Sequence, residues 1–467
     1  MEDLRITRLV INNVGIFEHL DLTFKKKQPS DKAEVHIFTG ENGTGKTTML
    51  EALSYFDFEF NTLLEEQKKN QNKNYYKYQD SLLNKKRREV ERSERDRNED
   101  DEWEMMKMEK MHRMRKKGEE KYAIEIHFFK KEIQFWQHGG VNHDTYSGFF
   151  KDYYGDKSFN SYNHKYNFFA YNGHRQLKDT KVEAFKNFDF NPITEALTFD
   201  KKNVNLNLFQ WIANNKTRAA LSFQKGNKKE SERYLLSIQK IETAIGEIIG
   251  RKIEFFIDED SLNVMIRLDN ESLHYNTLAD GYKSVISWLT DLIFRLDYMP
   301  REGQENFTLF LDEIDIHLHP AAQRRILPVI QKLFPKAQIF LTTHSPFVIG
   351  SVDGAWVYKF KLDEKGNSVL DGEPFLTEDA QSYRYILEQV FDIKKQFGIE
   401  IEKRLDEFYK IRDEIIKNST AISSKGPSVQ ALTKIGKELA VQSEELRAII
   451  GSEIKQLSRI LKKEITI

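Results

Sequence analysis

One octapeptide constrains the fold of this chain more than any other feature of its sequence. Residues 40–47 read Gly-Glu-Asn-Gly-Thr-Gly-Lys-Thr and satisfy the pattern G-x-x-x-x-G-K-[ST]. An apolar run at 35–39 precedes the octapeptide, and residues 47–55 have helical composition. The pattern therefore predicts a strand, a phosphate-binding loop and a helix in that order, which indicates an α/β protein.

The residue types of the octapeptide suit the binding of ATP and Mg²⁺. Its glycines allow successive backbone N–H groups to converge on phosphate oxygens, and the N-terminus of the following helix adds a favourable potential. Lys46 is expected to reach the β and γ phosphates, and the Thr47 hydroxyl to ligate Mg²⁺. The predicted nucleotide-binding residues are Gly40, Asn42, Gly43, Thr44, Gly45, Lys46, Thr47 and Thr48.

A second element supplies two adjacent carboxylates. Residues 307–311 form an apolar run of the kind found in strands buried on both faces, and Asp312 and Glu313 follow it directly. An Asp-Glu pair is usually only solvated, but a position after a buried strand and downstream of a phosphate loop favours a functional interpretation. We expect Asp312 to hold Mg²⁺ through water, together with Thr47, and Glu313 to polarise the attacking water as the catalytic base.

The composition excludes several other classes of function. The 72 Lys and Arg residues balance 73 Asp and Glu residues, so any basic nucleic-acid surface would have to be local. The absence of cysteine excludes disulfides, thiolate zinc sites and cysteine nucleophiles. No run approaches the ~20 apolar residues of a membrane-spanning helix, and the first residues lack a signal-peptide pattern. We therefore expect a cytoplasmic protein without a membrane partner.

Residues 61–120 differ in character from the rest of the chain. Charged and amide residues dominate there, and blocks of opposite sign follow one another at 85–88 and 99–102. Mixed charge with strong helix formers predicts exposed helices inserted after the phosphate-loop helix. Two interpretations stay open, namely a solvated, partly mobile insertion and an arm that binds a partner.

Further motifs follow in a fixed order. Residues 277–284 read Thr-Leu-Ala-Asp-Gly-Tyr-Lys-Ser, Asp315 follows the acidic pair, and residues 341–346 read Leu-Thr-Thr-His-Ser-Pro. With the phosphate loop and the acidic strand, this set resembles ABC-type ATPases of the SMC/RecF/OLD class. The resemblance covers residues 1 to about 350. It implies an α/β ABC-type P-loop ATPase head, with a mixed sheet, an antiparallel β subdomain, a charged helical insertion and a helical C-terminal tail.

The resemblance also implies roles for individual residues. His344 corresponds to the switch histidine that senses the γ phosphate, and Asp315 belongs to the D-loop. The signature residues, which act in trans on the nucleotide of a second protomer, are Leu278, Asp280, Gly281 and Ser284. A homodimer or higher homo-oligomer formed through the ATPase heads is therefore expected.

The sequence departs from the family pattern at Ala279, which replaces a hydroxyl that often caps the signature helix, so hydrolysis is expected to be slow. His317 and His319 could suggest a metal site, but no third ligand with metal spacing follows. Arg175 lies in the Q-loop region, where a nucleotide or interprotomer contact and a structural salt bridge remain equal alternatives.

The predicted domains are an N-terminal lobe with the phosphate loop (1–60), the charged insertion (61–120), the remainder of the ATPase head (121–355), and a strand pair with C-terminal helices (356–467). Helical patterns near 385–391, 401–409 and 439–451 resemble the tails of stand-alone ATPases in bacterial anti-phage modules. The resemblance is to PtuA-like ATPases of Septu and retron systems first, and to AriA-like ATPases of PARIS second.

This second resemblance implies an ATP-dependent sensor and scaffold that controls a separately encoded effector nuclease of the HNH or Toprim type. The trigger would be a phage protein or DNA. No Glu-Gly pair followed by Asp-x-Asp occurs after residue 355, so no intrinsic nuclease is expected. A RecF-like DNA-repair ATPase and a purely structural scaffold with a residual nucleotide site remain the alternatives.

Overall fold

The structure is a computed structural model, and its chain divides into two compact units, residues 1–386 and 387–467. Each unit is described by itself. The described residues are 5–26, 31–54, 122–128, 131–137, 167–173, 176–177, 203–204, 208–299, 305–378, 382–393, 395–417, 426–462 and 465. The predicted insertion at 61–120 and Arg175 lie outside these residues.

The strands and helices follow one another along the chain as numbered here. The strands are β1 (Ile6–Val14), β2 (Phe17–Thr23), β3 (Glu34–Gly40), β4 (Tyr122–Phe128), β5 (Lys131–Gln137), β6 (Asn167–Tyr171), β7 (Gln176–Leu177), β8 (Asn203–Val204), β9 (Ile253–Ile257), β10 (Val264–Leu268), β11 (Glu271–Leu273), β12 (Phe307–Leu311), β13 (Gln338–Thr342), β14 (Trp356–Leu362), β15 (Ser368–Leu370) and β16 (Phe375–Leu376). The helices are α1 (46–54), α2 (Leu208–Gln224), α3 (Lys228–Ile249), α4 (Asp280–Asp297), α5 (Pro320–Leu333), α6 (Pro346–Ile349), α7 (Tyr383–Gln389), α8 (Ile399–Lys417), α9 (Pro427–Ala440) and α10 (Glu444–Leu461).

A mixed sheet forms the centre of the first unit. Its strands lie in the order β15-β14-β3-β13-β12-β6, with β16 paired to β14. Neighbouring strands from β14 to β6 are parallel, whereas β15 and β16 run antiparallel to β14. Every residue of β12 and β13 is buried, as expected for apolar strands covered on both faces. The parallel register brings the carboxyl ends of β3, β13, β12 and β6 to one edge of the sheet.

Two smaller antiparallel sheets accompany the central one. One has the order β2-β1-β4-β5, and the other has the order β11-β10-β9. Phe24 joins the first of these sheets to the central sheet, because its ring centroid lies 5.0 Å from that of Phe340 and 5.7 Å from that of Tyr358. The mixed sheet with an antiparallel subdomain confirms the predicted fold class.

The central sheet includes strands that follow the signature and switch motifs in the sequence. β14 pairs in parallel with β3, which places residues 356–362 beside the strand that leads into the phosphate loop. The Thr377 hydroxyl, almost fully buried, donates to the carbonyl of Val352 and accepts from the backbone N–H of Ala355. Residues 356–377 are thus built into the first unit. The domain boundaries given above remain predictions.

The second unit consists of helices around an apolar core of its own. Leu405 and Phe408 of α8 pack with Leu432 of α9 and Ile450 of α10. Arg412 forms an ion pair with Glu453, which links α8 to α10. The helical tail was predicted from its apolar spacing. Across the described part of the chain, no helix combines the length and apolar character needed to cross a bilayer.

A buried polar cluster ties β1 to the amino-terminal edge of the central sheet. Glu34 accepts hydrogen bonds from Arg5 and from the fully buried His36, whose other ring nitrogen lies 3.2 Å from the Tyr358 hydroxyl. Burial alone would raise the pKa of Glu34, but the His36 and Arg5 contacts lower it to about 2. Burial lowers the pKa of His36 below its ordinary value, against the opposing effect of Glu34.

We predict that this cluster makes the protein less stable in mild acid. Because the folded-state pKa of His36 is depressed, the unfolded chain takes up its proton first, and stability is lost as the pH falls below the ordinary value of 6.5. The slope contributed by one such proton is at most about 1.4 kcal/mol per pH unit. The free energy of unfolding, measured by chemical denaturation between pH 7 and pH 5, should change less steeply with pH in His36→Gln than in the wild-type protein. His19 is exposed, and His19→Gln serves as the control. The same dependence of unfolding free energy on pH in the wild type, His36→Gln and His19→Gln would contradict the prediction.

Candidate nucleotide site

The phosphate loop joins β3 to α1 and is wrapped around the side chain of Lys46. The Lys46 ammonium group donates to the carbonyl oxygens of Gly40, at 3.1 Å, and Glu41, at 2.7 Å. Gly43 and Gly45 have φ angles of 81° and 80°, which residues with a side chain rarely adopt. Burial lowers the pKa of Lys46, and the negative charges of Asp312 and Glu313 oppose this effect.

The loop is held from outside by three close contacts. A Cβ atom built on Gly45 would lie 2.7 Å from the Phe17 ring, and one built on Gly40 would lie 2.3 Å from the Phe360 carbonyl oxygen. The buried Ser368 hydroxyl donates to the carbonyl oxygen of Thr44 at 2.7 Å. These contacts fix the loop between the β1–β2 turn and the β14–β15 hairpin. Asn42 and Gly43 remain exposed at its open side. Thr48, the third residue of α1, packs its methyl group against Gly15.

Asp312 connects the loop to the acidic strand. The Thr47 hydroxyl lies 3.0 Å and 3.2 Å from the two carboxylate oxygens of Asp312. The Thr342 hydroxyl, at the end of β13, donates to the same carboxylate at 2.6 Å. Thr47 is exposed, whereas Asp312 is only 5% exposed. The structure therefore brings both predicted metal-binding residues, Thr47 and Asp312, into direct contact.

Glu313 occupies an unusual backbone conformation. Its φ angle is 47°, in the left-handed region, and its backbone N–H donates to the Thr342 hydroxyl at 2.7 Å. Non-glycine residues in this region cost roughly 1 kcal/mol or more and occur often at functional sites. Among the described residues, no hydrogen bond to the Glu313 carboxylate is formed. Its oxygens are therefore available to accept a proton from water.

The loop after β12 is bonded to the loop after β13. The Thr343 hydroxyl donates to the Asp315 carboxylate at 2.5 Å, and the Gln323 amide links to Ser345 and Leu318. His344 is exposed between these bonded residues. Partial burial and then the positive charge of Lys46 lower the pKa of His344, although Asp315 and Asp312 oppose them. At neutral pH the ring is therefore uncharged and can donate one hydrogen bond.

The signature residues lie at the start of α4. Leu278 and Ser284 are each 5% exposed, whereas the side chain of Asp280 is 70% exposed. Ala279 is the N-cap residue and supplies no side-chain hydrogen bond. Gly281 lies against the D-loop, because a Cβ built on it would be 2.3 Å from the His317 carbonyl oxygen. Within the described residues, no hydrogen bond joins this segment to the phosphate loop.

The donor set fits a magnesium-bound nucleoside triphosphate. A threonine hydroxyl and a carboxylate are oxygen ligands of the type that Mg²⁺ prefers, with water and phosphate completing the shell. No group of three or more His, Cys, Asp or Glu side chains with metal-site geometry was found in the described part of the chain. The His319 ring has a structural role, since its Nδ1 accepts from the backbone N–H of Ala321 and caps α5.

Several residues of the site were not predicted from the sequence. Thr342 ends β13 and Thr343 follows it, and their position beside β12 could have indicated contact with the acidic residues. Ser368 carries no such signal, because 324 positions separate it from Thr44. The predicted site residues Lys46, Thr47, Asp312, Asp315 and His344 lie in one hydrogen-bonded or electrostatically coupled group.

Comparison with known proteins gives matches of three kinds. The profile of a family described as an AAA ATPase domain matches residues 4–349. The Septu protein PtuA of Bacillus thuringiensis is 26% identical over 233 residues, which are 48% of this chain and 56% of PtuA. The Retron Ec83 probable ATPase of Escherichia coli is 32% identical over 110 residues, 22% of this chain and 20% of the relative. The matches thus span about half or less of these relatives.

Among solved structures, an SMC head bound to the C-terminal winged-helix domain of ScpA aligns with a TM-score of 0.42 and 13% sequence identity. The alignment covers 80% of this chain and 99% of that structure.

We predict that Ser368→Ala weakens ATP binding although Ser368 belongs to none of the phosphate-binding motifs. Loss of the hydrogen bond to Thr44 should loosen the phosphate loop and raise the ATP dissociation constant about 2- to 10-fold, the effect of one hydrogen bond. Titration calorimetry with ATP and Mg²⁺ measures this constant.

Ser351→Ala is the matched control for this prediction. The Ser351 hydroxyl also donates to a backbone carbonyl at 2.7 Å, that of Val348, outside the phosphate loop. Equal ATP affinity of Ser368→Ala and the control variant would show that the loop does not depend on Ser368.

Proposed function

This chain belongs to the AAA ATPase domain family, and on that premise we propose that it binds ATP with Mg²⁺ and hydrolyses it slowly. The observation that carries the proposal is the hydrogen bond between Thr47 and Asp312, with Glu313 beside it. This bond unites the phosphate loop with the acidic strand. A carboxylate that accepts no hydrogen bond from a described residue and lies beside the proposed metal-binding pair is suited to act as a general base for water.

Each residue of the site has a defined task in this proposal. Lys46 exchanges its bonds to the loop carbonyls for bonds to phosphate oxygens, and its positive charge favours the developing negative charge. Thr47 and Asp312 hold Mg²⁺, which supplies charge neutralisation when bound. Glu313 orients the attacking water and takes up its proton. The neutral His344 donates a hydrogen bond toward the γ phosphate.

We further propose that the site is completed by the signature segment of a second copy. The backbone N–H groups of Asp280 and Gly281, at the start of α4, have no side-chain cap and form no hydrogen bond with a described residue, which leaves them free to face an anion. Ala279 and Asp280 lie at the surface, whereas Gly281 and Ser284 are buried, and in the described part of the chain this segment forms no hydrogen bond with the phosphate loop. A homodimer is the simplest assembly that brings α4 of one protomer to the nucleotide of its partner.

The biological role proposed here is that of an ATP-dependent sensor and scaffold in a bacterial anti-phage defence system. The similarity to a Septu protein and to a retron ATPase supports this role. The proposal includes a separately encoded nuclease that is held and controlled according to the ATP state. The chain itself is proposed to have no nuclease activity.

We predict that two inactive variants restore ATP hydrolysis when they are mixed. Lys46→Ala removes nucleotide binding but keeps the signature segment. Asp280→Tyr places a bulky side chain at the exposed start of its own signature segment, so that this segment no longer fits against the nucleotide of the partner, whereas its own phosphate loop is unchanged. A mixed dimer contains one intact site, formed by the phosphate loop of the second variant and the signature of the first. Steady-state phosphate release before and after mixing tests this.

The choice of Asp280 avoids an ambiguity in replacing Gly281. Gly281→Arg would also disturb the D-loop of its own chain, since Gly281 lies against the His317 carbonyl. Hydrolysis by a protein that stays monomeric with ATP, or a mixture as inactive as its components, would contradict the shared site.

We predict that the full-length protein co-purifies with the product of an adjacent gene encoding an HNH or Toprim nuclease. Cells carrying both genes should resist phage, and Lys46→Ala should abolish resistance because the ATP state is no longer sensed. Plaque counts and pull-down measure the two effects. Salt-sensitive DNA binding by the isolated protein, with no adjacent nuclease, would favour the RecF-like alternative instead.

A further inference from the structure

Gly173 lies directly against the side chain of Glu313. A Cβ atom built on Gly173 would lie 2.5 Å from the Oε2 atom of Glu313 and 3.2 Å from both its Cβ and its Cδ atoms. Gly173 is buried, and its φ angle lies outside the left-handed region, so its backbone conformation would accept alanine. The space that a side chain would need is filled by the Glu313 carboxylate and by no other described group within that distance.

This contact follows from the register of the central sheet. Tyr171 of β6 pairs with Leu311 of β12, and the backbone N–H of Asp312 donates to the Tyr171 carbonyl at 2.9 Å. Two residues beyond this pair, Gly173 and Glu313 therefore meet at the carboxyl ends of the two strands. Parallel pairing thus fixes the backbone of Gly173 relative to the backbone of Glu313.

Apart from the contact with Gly173, the hydrogen bonds between Glu313 and other described residues involve its backbone. Thr342 accepts its N–H and supports the left-handed φ angle, while the carboxylate makes no hydrogen bond to any described residue. Hydrogen bonds donated to a carboxylate favour its charged form and weaken it as a base. The close approach of Gly173 restricts the position of the carboxylate without engaging its oxygens in hydrogen bonds.

We infer that Gly173 is a positioning residue for the catalytic base, and the inference rests on the proposed ATPase function. The absent side chain leaves room for the carboxylate in the position that faces the nucleotide site. A methyl group at this position displaces the carboxylate by about 1 Å, and a misplacement of this size can reduce the rate of a catalysed step by about 100-fold. ATP binding, which depends on Lys46 and the phosphate loop, is unaffected.

The test compares Gly173→Ala with Gly398→Ala in the full-length protein. Gly398 is an exposed glycine, and a Cβ built on it meets no atom within 4 Å. We expect Gly173→Ala to lower kcat about 10- to 100-fold with an unchanged ATP dissociation constant. Gly398→Ala should retain the wild-type kcat.

A double-mutant cycle with Glu313→Gln separates positioning of the base from a general structural effect. Because Glu313→Gln leaves a side chain of the same size that is no longer a base, its displacement by Gly173→Ala should cause no further loss of single-turnover rate. Equal losses in both backgrounds would contradict a role through Glu313. Full activity of Gly173→Ala would also contradict the inference, whereas a wild-type protein without turnover would contradict the proposed function itself.

A second substitution serves as a control for effects of Gly173→Ala on folding. If Gly173→Ala lowers the yield or thermal stability, Glu313→Ala in the same chain should restore both, because it removes the clashing side chain. Failure of this rescue would show that Gly173 is required for another reason and would overturn the inference.

Discussion

The hydrogen bonds around the Asp312 carboxylate are the interaction on which the rest of the site depends. Thr47 and Thr342 both bond to this carboxylate, so α1, β12 and β13 are tied together at one point. Thr342 also accepts the backbone N–H of Glu313. The placement of the proposed base and of the proposed metal ligands therefore derives from the same short network, which the parallel sheet presents at its carboxyl edge.

The charges of the site are arranged around this network. Lys46 lies within electrostatic range of Asp312 and Glu313, and its own charge helps to keep His344 neutral. The Lys46 ammonium group donates hydrogen bonds to the loop carbonyls of Gly40 and Glu41. In the proposed function, Lys46 exchanges these carbonyl partners for phosphate oxygens.

The sequence was sufficient to predict the fold class, and its local motifs predicted residues that the structure brings together in the candidate site. The phosphate loop and the acidic strand each occupy a few consecutive residues, so their geometry follows from local pattern and strand burial. Ser368 and Gly173 could not be found in this way. Their contacts with Thr44 and Glu313 arise from strand order and register, which no short sequence pattern encodes. The contact between Gly281 and the D-loop likewise depends on the tertiary structure and not on a short sequence pattern.

The central claim is that the carboxylate beside the Thr47–Asp312 bond is the base for ATP hydrolysis. The most direct measurement is ATP affinity together with single-turnover hydrolysis for Glu313→Gln, which keeps the size of the side chain and removes its basicity. We expect wild-type affinity with a rate reduced by about 10²- to 10⁴-fold, and accumulation of an ATP-bound dimer in light scattering. Hydrolysis by Glu313→Gln at the wild-type rate would contradict the central claim.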